Sequence, residues 1–255
     1  MIHAQNLSAL HGIRHAFFDR SGGASEGVFA SLNCGYSGGD DPERVAENRA
    51  RALRRLGVAP EGLCTARQVH GVEVILARRA EPGRPSAAAD ALVTDHPGLA
   101  LGVLSADCAP VLLADPAAGV IGAAHAGWRG ALSGVIEAVV RAMLELGARP
   151  GRMTAAIGPC IAQAAYQVGP ELYEAFVAED PRSAALFEPV GGSDRLLLDL
   201  KGYALLRLAR SRIEDCVALP DDTFADEERF FSARRTRLQG GERFGLLLSA
   251  IALAD

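Results

Sequence analysis

Apolar residues recur with helical spacing along two stretches of the chain. In "DPERVAENRARALRRLG" they fall on one side, with Asp41 at the N-cap position, Pro42 at the first helical position and Gly57 at the stop. A second stretch runs from Gly130 to Gly147, with apolar residues three and four positions apart. Both patterns predict helices that bury one face.

Short apolar runs between turn residues predict strands. One strand is expected over 13–18, and four follow in quick succession at about 91–94, 101–104, 111–114 and 120–124. The runs 63–69 and 72–77 predict two strands that pair with each other, with His70 and Gly71 at the bend. Later strands are expected at 153–158, 195–200, near 216 and within 244–253, with helices from about 170 and over 200–213.

This order of elements predicts an α/β fold. Because most strands are separated by helices, we expect a mixed β-sheet that is covered by helices. Apolar residues make up 49% of the chain and aromatic residues only 5%, which suits a sheet packed by aliphatic side chains. At 255 residues the chain is long enough for one large domain or two small ones, and no linker divides it.

The charge balance narrows the expected partners. A net charge of −5 gives no general attraction to nucleic acid or to an anionic membrane, so any anionic ligand must be met by local arginines. No stretch reaches the roughly 18 apolar residues of a membrane span, and the N-terminus lacks the pattern of a signal peptide. Five widely spaced cysteines without a C-x-x-C pair do not suggest a disulfide framework. A cytoplasmic location is expected.

Three side chains able to bind a metal, His70, Cys108 and His125, stand at predicted strand ends. Rigid strands hold side chains in place there while leaving them accessible. Two imidazoles, one thiolate and an open position suit a catalytic zinc site. The spacing fits no standard zinc motif. The alternative at this point is that Cys108 packs in the sheet and His125 is satisfied locally.

Two neighbours of these residues favour a site. Asp107 adds a carboxylate beside the thiol, which is costly to bury unless something balances it. The run 127–130, "GWRG", follows His125 at a strand-to-helix turn, where glycine admits a ligand and free N–H groups favour an anion. By contrast, "GASEG" at 23–27 lacks the flanking strand and helix of a nucleophile elbow, so a serine hydrolase is not expected.

Several long blocks of the chain resemble the YfiH family, also called the laccase-domain or polyphenol oxidase family and peptidoglycan editing factor. They are "RQVHG" at 67–71, "ADALVTDHPGLALGVLSADCAPVLLAD" at 89–115 and "AAHAGWRG" at 123–130, and similar blocks extend from Phe17 to the C-terminus. The resemblance implies a single α/β domain over 1–255, built as a layered sandwich. It also implies a metal, usually zinc, held by the residues that match His70, Cys108 and His125.

The same resemblance implies activity on purine nucleosides. The expected reaction is phosphate-dependent cleavage of adenosine, inosine, guanosine and methylthioadenosine, with adenosine deamination as a second activity. Where the family commonly reads "YEVG", this chain has Gln167, and the loss of a carboxylate there puts deamination in doubt.

We expect several individual residues to bind phosphate or substrate, or to take part in catalysis. Arg49 and Arg129 are expected to bind phosphate or substrate, because a guanidinium matches phosphate bidentately. Asp107 would act as a general base or orient a metal ligand, and forms the expected catalytic group with Cys108 and His125. Two polar loop residues are expected to contact substrate: Ser31 and Asn33.

Three alternatives stay open. Cys108 could be the nucleophile and His125 the base of a metal-free hydrolase. The family's editing-factor name suggests a role in peptidoglycan maintenance. A His₂Cys site could also bind one copper ion, although six histidines are too few for a multicopper oxidase. The expected assembly is a monomer or a small homo-oligomer.

Overall fold

The computed structural model describes residues 1–80 and 83–254. Its strands are β1 Ile13–Phe17, β2 Leu63–Cys64, β3 Val74–Leu76, β4 Ala91–Thr94, β5 Ala100–Ser105, β6 Ala109–Asp115, β7 Val120–Ala126, β8 Thr154–Ile157, β9 Gln167–Val168, β10 Phe187–Pro189, β11 Leu196–Leu198, β12 Asp215–Ala218 and β13 Leu247–Leu253. Its α-helices are α1 Gln5–Ser8, α2 Pro42–Leu56, α3 Trp128–Ser133, α4 Val135–Glu145, α5 Pro170–Glu179, α6 Leu200–Arg210 and α7 Ala233–Leu238.

The described strands form three sheets rather than one. The six-stranded sheet has the order β12-β8-β6-β7-β4-β3 and is mixed, with parallel pairs at both edges and antiparallel pairs between them. The four-stranded sheet has the order β1-β13-β5-β2, in which only the β2–β5 pair is parallel. The small antiparallel sheet has the order β10-β11-β9. The mixed α/β fold class predicted from the sequence is confirmed, and the single-domain organisation stays a prediction.

The hydrophobic core lies in layers. The two large sheets pack face to face through side chains such as Leu92, Leu101 and Ile251. The outer face of the six-stranded sheet packs against α4 and α6, and the outer face of the four-stranded sheet packs against α2. Side chains along a strand alternate between the two faces of the sheet. Every residue of the central strands β6 and β7 is buried, so both faces of these strands are covered. None of the described helices is long and apolar enough to span a membrane.

Helix α2 confirms its predicted boundaries. The Asp41 carboxylate accepts a hydrogen bond from the Glu43 N–H at 2.9 Å, Pro42 follows it, and Gly57 ends the helix at φ 76°. This φ lies in the left-handed region that favours glycine, so the predicted stop has a conformational cause.

The predicted helix from Gly130 to Gly147 is wrong in its boundaries. The chain forms two helices, α3 and α4, which start at Trp128 and end at Glu145. Gly134 lies between them at φ 99°, and its N–H closes α3 on the Gly130 and Ala131 carbonyls. A left-handed glycine that ends one helix cannot continue it.

The predicted pairing of 63–69 with 72–77 is also wrong. Strand β2 pairs with β5 in the four-stranded sheet, while β3 pairs with β4 in the six-stranded sheet. The bend at His70 therefore does not close a hairpin and instead carries the chain from one sheet to the other.

A candidate metal centre in an arginine-lined cleft

The structure brings together the three predicted metal ligands. Cys108 directly precedes β6, His125 lies in the adjacent strand β7, and His70 lies on the bend between the two large sheets. One ligating atom from each side chain lies within 4.8 Å of the other two. The imidazole rings of His70 and His125 meet edge to face at 4.9 Å. Side chains from distant parts of the sequence are thus close enough to share one ion.

Gly127 leaves the space that this cluster needs. A Cβ atom at this position would lie 2.6 Å from His70 Nδ1 and 3.0 Å from Cys108 Sγ. The φ of Gly127 is −71°, so the need for glycine here is spatial rather than conformational. Two imidazoles and one thiolate that open onto a cleft fit a catalytic zinc ion with a free coordination position.

Asp90, which the sequence analysis did not single out, orients the cluster. Its carboxylate accepts a hydrogen bond from His125 Nδ1–H at 2.8 Å, which leaves Nε2 of that ring free to bind a metal. It also accepts the backbone N–H groups of Val69, His70 and Gly71 at 2.9, 3.0 and 2.8 Å. His70 adopts φ 60°, and Asp90 is fully buried. One side chain therefore fixes both histidines; its sequence signal is an acid within the apolar run "AADALV".

The surroundings of the two histidines shift their pKa values in opposite directions. Burial alone would lower the pKa of His125, but the Cys108 sulfur and the hydrogen bond to Asp90 outweigh it and raise that pKa to about 9. Burial and the neighbouring His125 lower the pKa of His70. A metal ion at this site competes with a proton held on His125.

The Asp107 carboxylate faces the segment 223–234. Its carboxylate accepts them from Thr223 Oγ1 at 2.7 Å, Ser232 Oγ at 3.0 Å and the Arg234 N–H at 2.7 Å. The residue is 8% exposed and adopts φ 89°. The structure thus places the predicted general base as an anchor for the start of α7.

A cavity of about 1270 Å³ opens beside the cluster. Among the described residues, its lining holds two carboxylate residues, Asp107 and Glu242, and four large aromatic residues, Tyr36, Trp128, Tyr166 and Phe244. It also holds six arginines: Arg49, Arg67, Arg84, Arg234, Arg237 and Arg243. Within the described chain none of these six pairs with a carboxylate, whereas arginines elsewhere, such as Arg152 and Arg210, do. The six arginines outnumber the two carboxylate residues of the lining, so the cleft carries an excess of positive charge although the protein as a whole has a net negative charge.

Arg49 is the most deeply buried of the cleft arginines, at 8% exposed. Its Nε donates to the Cys34 carbonyl at 2.8 Å, its Nη1 donates to Thr65 Oγ1 at 3.2 Å, and it stacks on the Tyr36 ring at 4.4 Å. Its buried Nη2 has no hydrogen-bond partner among the described residues. A buried guanidinium with an unused donor is costly unless a ligand accepts from it.

The structure does not bring the other predicted substrate residues to the cavity lining. Arg129 is exposed and stacks on the Trp128 ring at 4.8 Å. Ser31 Oγ donates to the Arg20 carbonyl and accepts the Gly23 N–H. The buried Asn33 side chain bonds to Gly35, Asp40 and Leu246. Ser31 and Asn33 hold their own loop in shape, and the lining instead includes Tyr166, Arg234, Arg237 and Arg243, which sequence patterns did not reveal.

Comparisons with known proteins agree with this architecture. The family model described as multi-copper polyphenol oxidoreductase laccase matches residues 14–254. The chain is 42% identical over 249 residues to a purine nucleoside phosphorylase of Deinococcus radiodurans, covering 97% of this chain and 92% of that protein. It is 38% identical over 223 residues to the purine nucleoside phosphorylase YfiH of Escherichia coli, covering 87% and 88%.

Solved structures show the same fold. A crystal structure of a Neisseria meningitidis protein matches with a TM-score of 0.87 and 35% identity, covering 97% of this chain and 96% of that one. The chain belongs to the YfiH-like family of laccase-domain proteins.

Proposed function

We propose that this protein is a zinc-dependent purine nucleoside phosphorylase acting on adenosine, inosine, guanosine and methylthioadenosine. One observation carries the proposal: a single cleft joins the His₂Cys donor set to arginines that lack carboxylate partners, including the unused donor of Arg49. The relatives from Deinococcus radiodurans and Escherichia coli, both purine nucleoside phosphorylases, support the same activity.

The proposed reaction transfers ribose from a purine to phosphate. A phosphate oxygen forms a bond to C1′ as the bond from C1′ to the purine nitrogen breaks, and the proton of the phosphate passes to the departing base. Positive charge develops on the ribose during this exchange, so an anion held against C1′ stabilises the transition state. Arg49 is well placed to hold that phosphate, because its Nη2 is free and its ring stacking and carbonyl bond fix the guanidinium.

The remaining residues take the following roles in the proposal. His70, Cys108 and His125 hold the zinc ion, which when bound supplies Lewis acidity to the reacting groups. Arg234, which stacks on Tyr166 and donates to the Gln167 carbonyl, assists Arg49. Arg129 does not line the cavity, but its positive charge acts on His70 and helps to lower the pKa of that residue. Asp107 positions α7, and Ser31 and Asn33 shape the loop beside α2.

Adenosine deamination is a second proposed activity. The Gln167 side chain is exposed and does not belong to the cavity lining, while its backbone carbonyl accepts from Arg234. We therefore expect that the replacement of a carboxylate at this position does not decide whether adenosine is deaminated.

A hydrolase that uses Cys108 as its nucleophile is the second candidate. It is favoured by the order of contacts from Cys108 to His125 and from His125 to Asp90, which resembles a nucleophile, base and orienting acid. This mechanism has no use for His70. Substitution of His70 by Ala should abolish metal binding and phosphorolysis under our proposal, but should leave a Cys–His hydrolase active.

The small number of grouped metal-binding side chains disfavours multicopper oxidase chemistry. In the part of the chain that the structure describes, one group of three metal-binding side chains is found, and two imidazoles belong to it. A single copper ion could bind there, since copper outcompetes zinc in raw affinity.

The deciding experiment is a chromatographic time course of zinc-loaded protein with adenosine, with and without phosphate. Adenine formed only with phosphate supports the phosphorylase, and inosine in either condition adds the deaminase. Adenosine that stays intact in both conditions contradicts the proposal for this substrate.

A further inference from the structure

The cleft carries more positive charge than one phosphate requires. Arg49 and Arg234 are buried or half-buried, whereas the other four arginines of the lining, Arg67, Arg84, Arg237 and Arg243, are exposed. An anion beside the metal centre needs only the inner pair. The proposed reaction therefore does not explain the positive charge of the four exposed arginines.

Two of the outer arginines are held in place by aromatic rings. The Arg237 guanidinium lies 5.9 Å from the Phe244 ring centroid, and that of Arg243 lies 5.7 Å from the Phe29 ring centroid. Within the described residues neither guanidinium donates a hydrogen bond or pairs with an acid, so their donors remain available. Stacked guanidinium groups are preorganised for bidentate binding of phosphate.

The cavity also has space beyond a nucleoside and one phosphate. Its volume of about 1270 Å³ exceeds the roughly 300–1,000 Å³ of pockets that take drug-sized ligands. Arg237 and Arg243 line the same cavity as His70 and Cys108, so both groups face one continuous space.

We propose that Arg237 and Arg243 form a second anion subsite that binds the 5′-phosphate of a purine nucleoside phosphate. This inference rests on the proposed function and names a further substrate class for the same cleft. With adenosine 5′-monophosphate, the bond from C1′ to N9 breaks, a bond from C1′ to inorganic phosphate forms, and the phosphate proton passes to adenine. The products are adenine and ribose 1,5-bisphosphate, and the 5′-phosphate is carried through unchanged.

The test is calorimetric titration of zinc-loaded protein with adenosine 5′-monophosphate and with adenosine. The nucleotide should bind about tenfold more tightly, because its 5′-phosphate accepts charge-assisted hydrogen bonds that adenosine cannot accept. The double variant R237Q/R243Q should lower the nucleotide affinity about tenfold relative to that of adenosine and so abolish the difference between the two ligands. Arg141→Gln, at an exposed position on α4 outside the lining, is the matched control and should leave that difference in place.

Two results would overturn the inference. One is a nucleotide that binds no more tightly than adenosine. The other is an affinity for the nucleotide that falls only in Arg49→Gln, which would place its phosphate at the inner site. The calorimetry does not depend on turnover. Phosphorolysis of adenosine without a nucleotide advantage rejects the subsite alone. A nucleotide advantage without phosphorolysis rejects the proposed function, and with it the nucleotide as a substrate, but leaves the anion-binding subsite in place.

Discussion

At the residue scale, the geometry of the candidate metal centre depends on Asp90, which does not line the cleft. Its carboxylate accepts hydrogen bonds from three consecutive backbone N–H groups at the bend and from the Nδ1–H of His125. The sequence predicted that His70, Cys108 and His125 lie close together because all three stand at strand ends, and the structure brings them together. The sequence did not predict Asp90, because the hydrogen-bond partners of a buried acid depend on how the bend and strand β7 pack together.

Substitution of Asp90 by Asn should lower zinc affinity about 10- to 100-fold, as removal of a carboxylate behind a metal-bound histidine does. The amide cannot accept all four hydrogen bonds, so both histidines lose their orientation. Competition with a chelator measures the effect. Asp115→Asn is the matched control, since Asp115 is equally buried but lies at the far end of β6, where it binds Arg149 and Arg152. Equal loss of zinc affinity in both variants would contradict the role given to Asp90.

At the element scale, α7 is a short helix whose position depends on its anchors. Asp107 accepts the Arg234 N–H at its start, and Arg235 donates to the Thr223, Phe224 and Phe230 carbonyls at 2.7, 2.8 and 2.6 Å. The helix carries Arg234 and Arg237 into the cleft. Sequence patterns predicted the capped helix α2, whose signals are local, but gave no sign of α7, whose six residues are fixed by contacts with distant segments.

Substitution of Thr223 by Val should raise the KM for phosphate several-fold with a smaller change in kcat and with the zinc content intact. The change removes the hydroxyl that donates to Asp107 and keeps the shape of the side chain, so it loosens α7 without touching the metal ligands. Steady-state kinetics and metal analysis measure the two effects. Thr236→Val, within α7 itself, removes a hydroxyl that takes part in no hydrogen bond of the described structure and should leave KM unchanged. Loss of zinc in T223V would show that the anchor serves the metal centre instead.

At the scale of the whole molecule, two sheets packed face to face and covered by helices place the cleft where the chain crosses between them. The sequence predicted the α/β class because the order of strands and helices is visible along the chain. It did not predict the division into sheets, since strand partners such as β1 and β13 come from opposite ends of the chain. The predicted pairing of β2 with β3 is wrong because the partner of a strand is not visible in its local sequence. Strand β2 pairs with β5 and strand β3 pairs with β4, and both partners are longer buried strands.

The stability of the molecule should depend on pH through His15, a residue of β1 that is 3% exposed and accepts the Ala4 N–H at Nε2. Burial and the nearby His3 lower the pKa of His15 from 6.5 to about 4. Between these values the unfolded chain binds more protons, so the free energy of unfolding falls as the pH falls from 6.5 to about 4, by up to about 3 kcal/mol.

Denaturant unfolding at several pH values measures this dependence. His15→Gln keeps an acceptor for the Ala4 N–H and removes the titration, so its stability should fall less over the same range. His11→Gln, an exposed histidine in the same segment, should follow the unsubstituted protein. Parallel profiles for all three proteins would contradict the assignment to His15.

The bend at His70 has a consequence for chain topology. It is the connection through which the polypeptide leaves one sheet and enters the other, and its histidine meets side chains from two strands of the second sheet. An ion shared by these three side chains would act as a reversible cross-link that closes two loops of the chain, reducing the conformational freedom of the unfolded state as a covalent bridge does. Loading the site would then raise the free energy of unfolding, because the cross-link makes the unfolded chain less favourable.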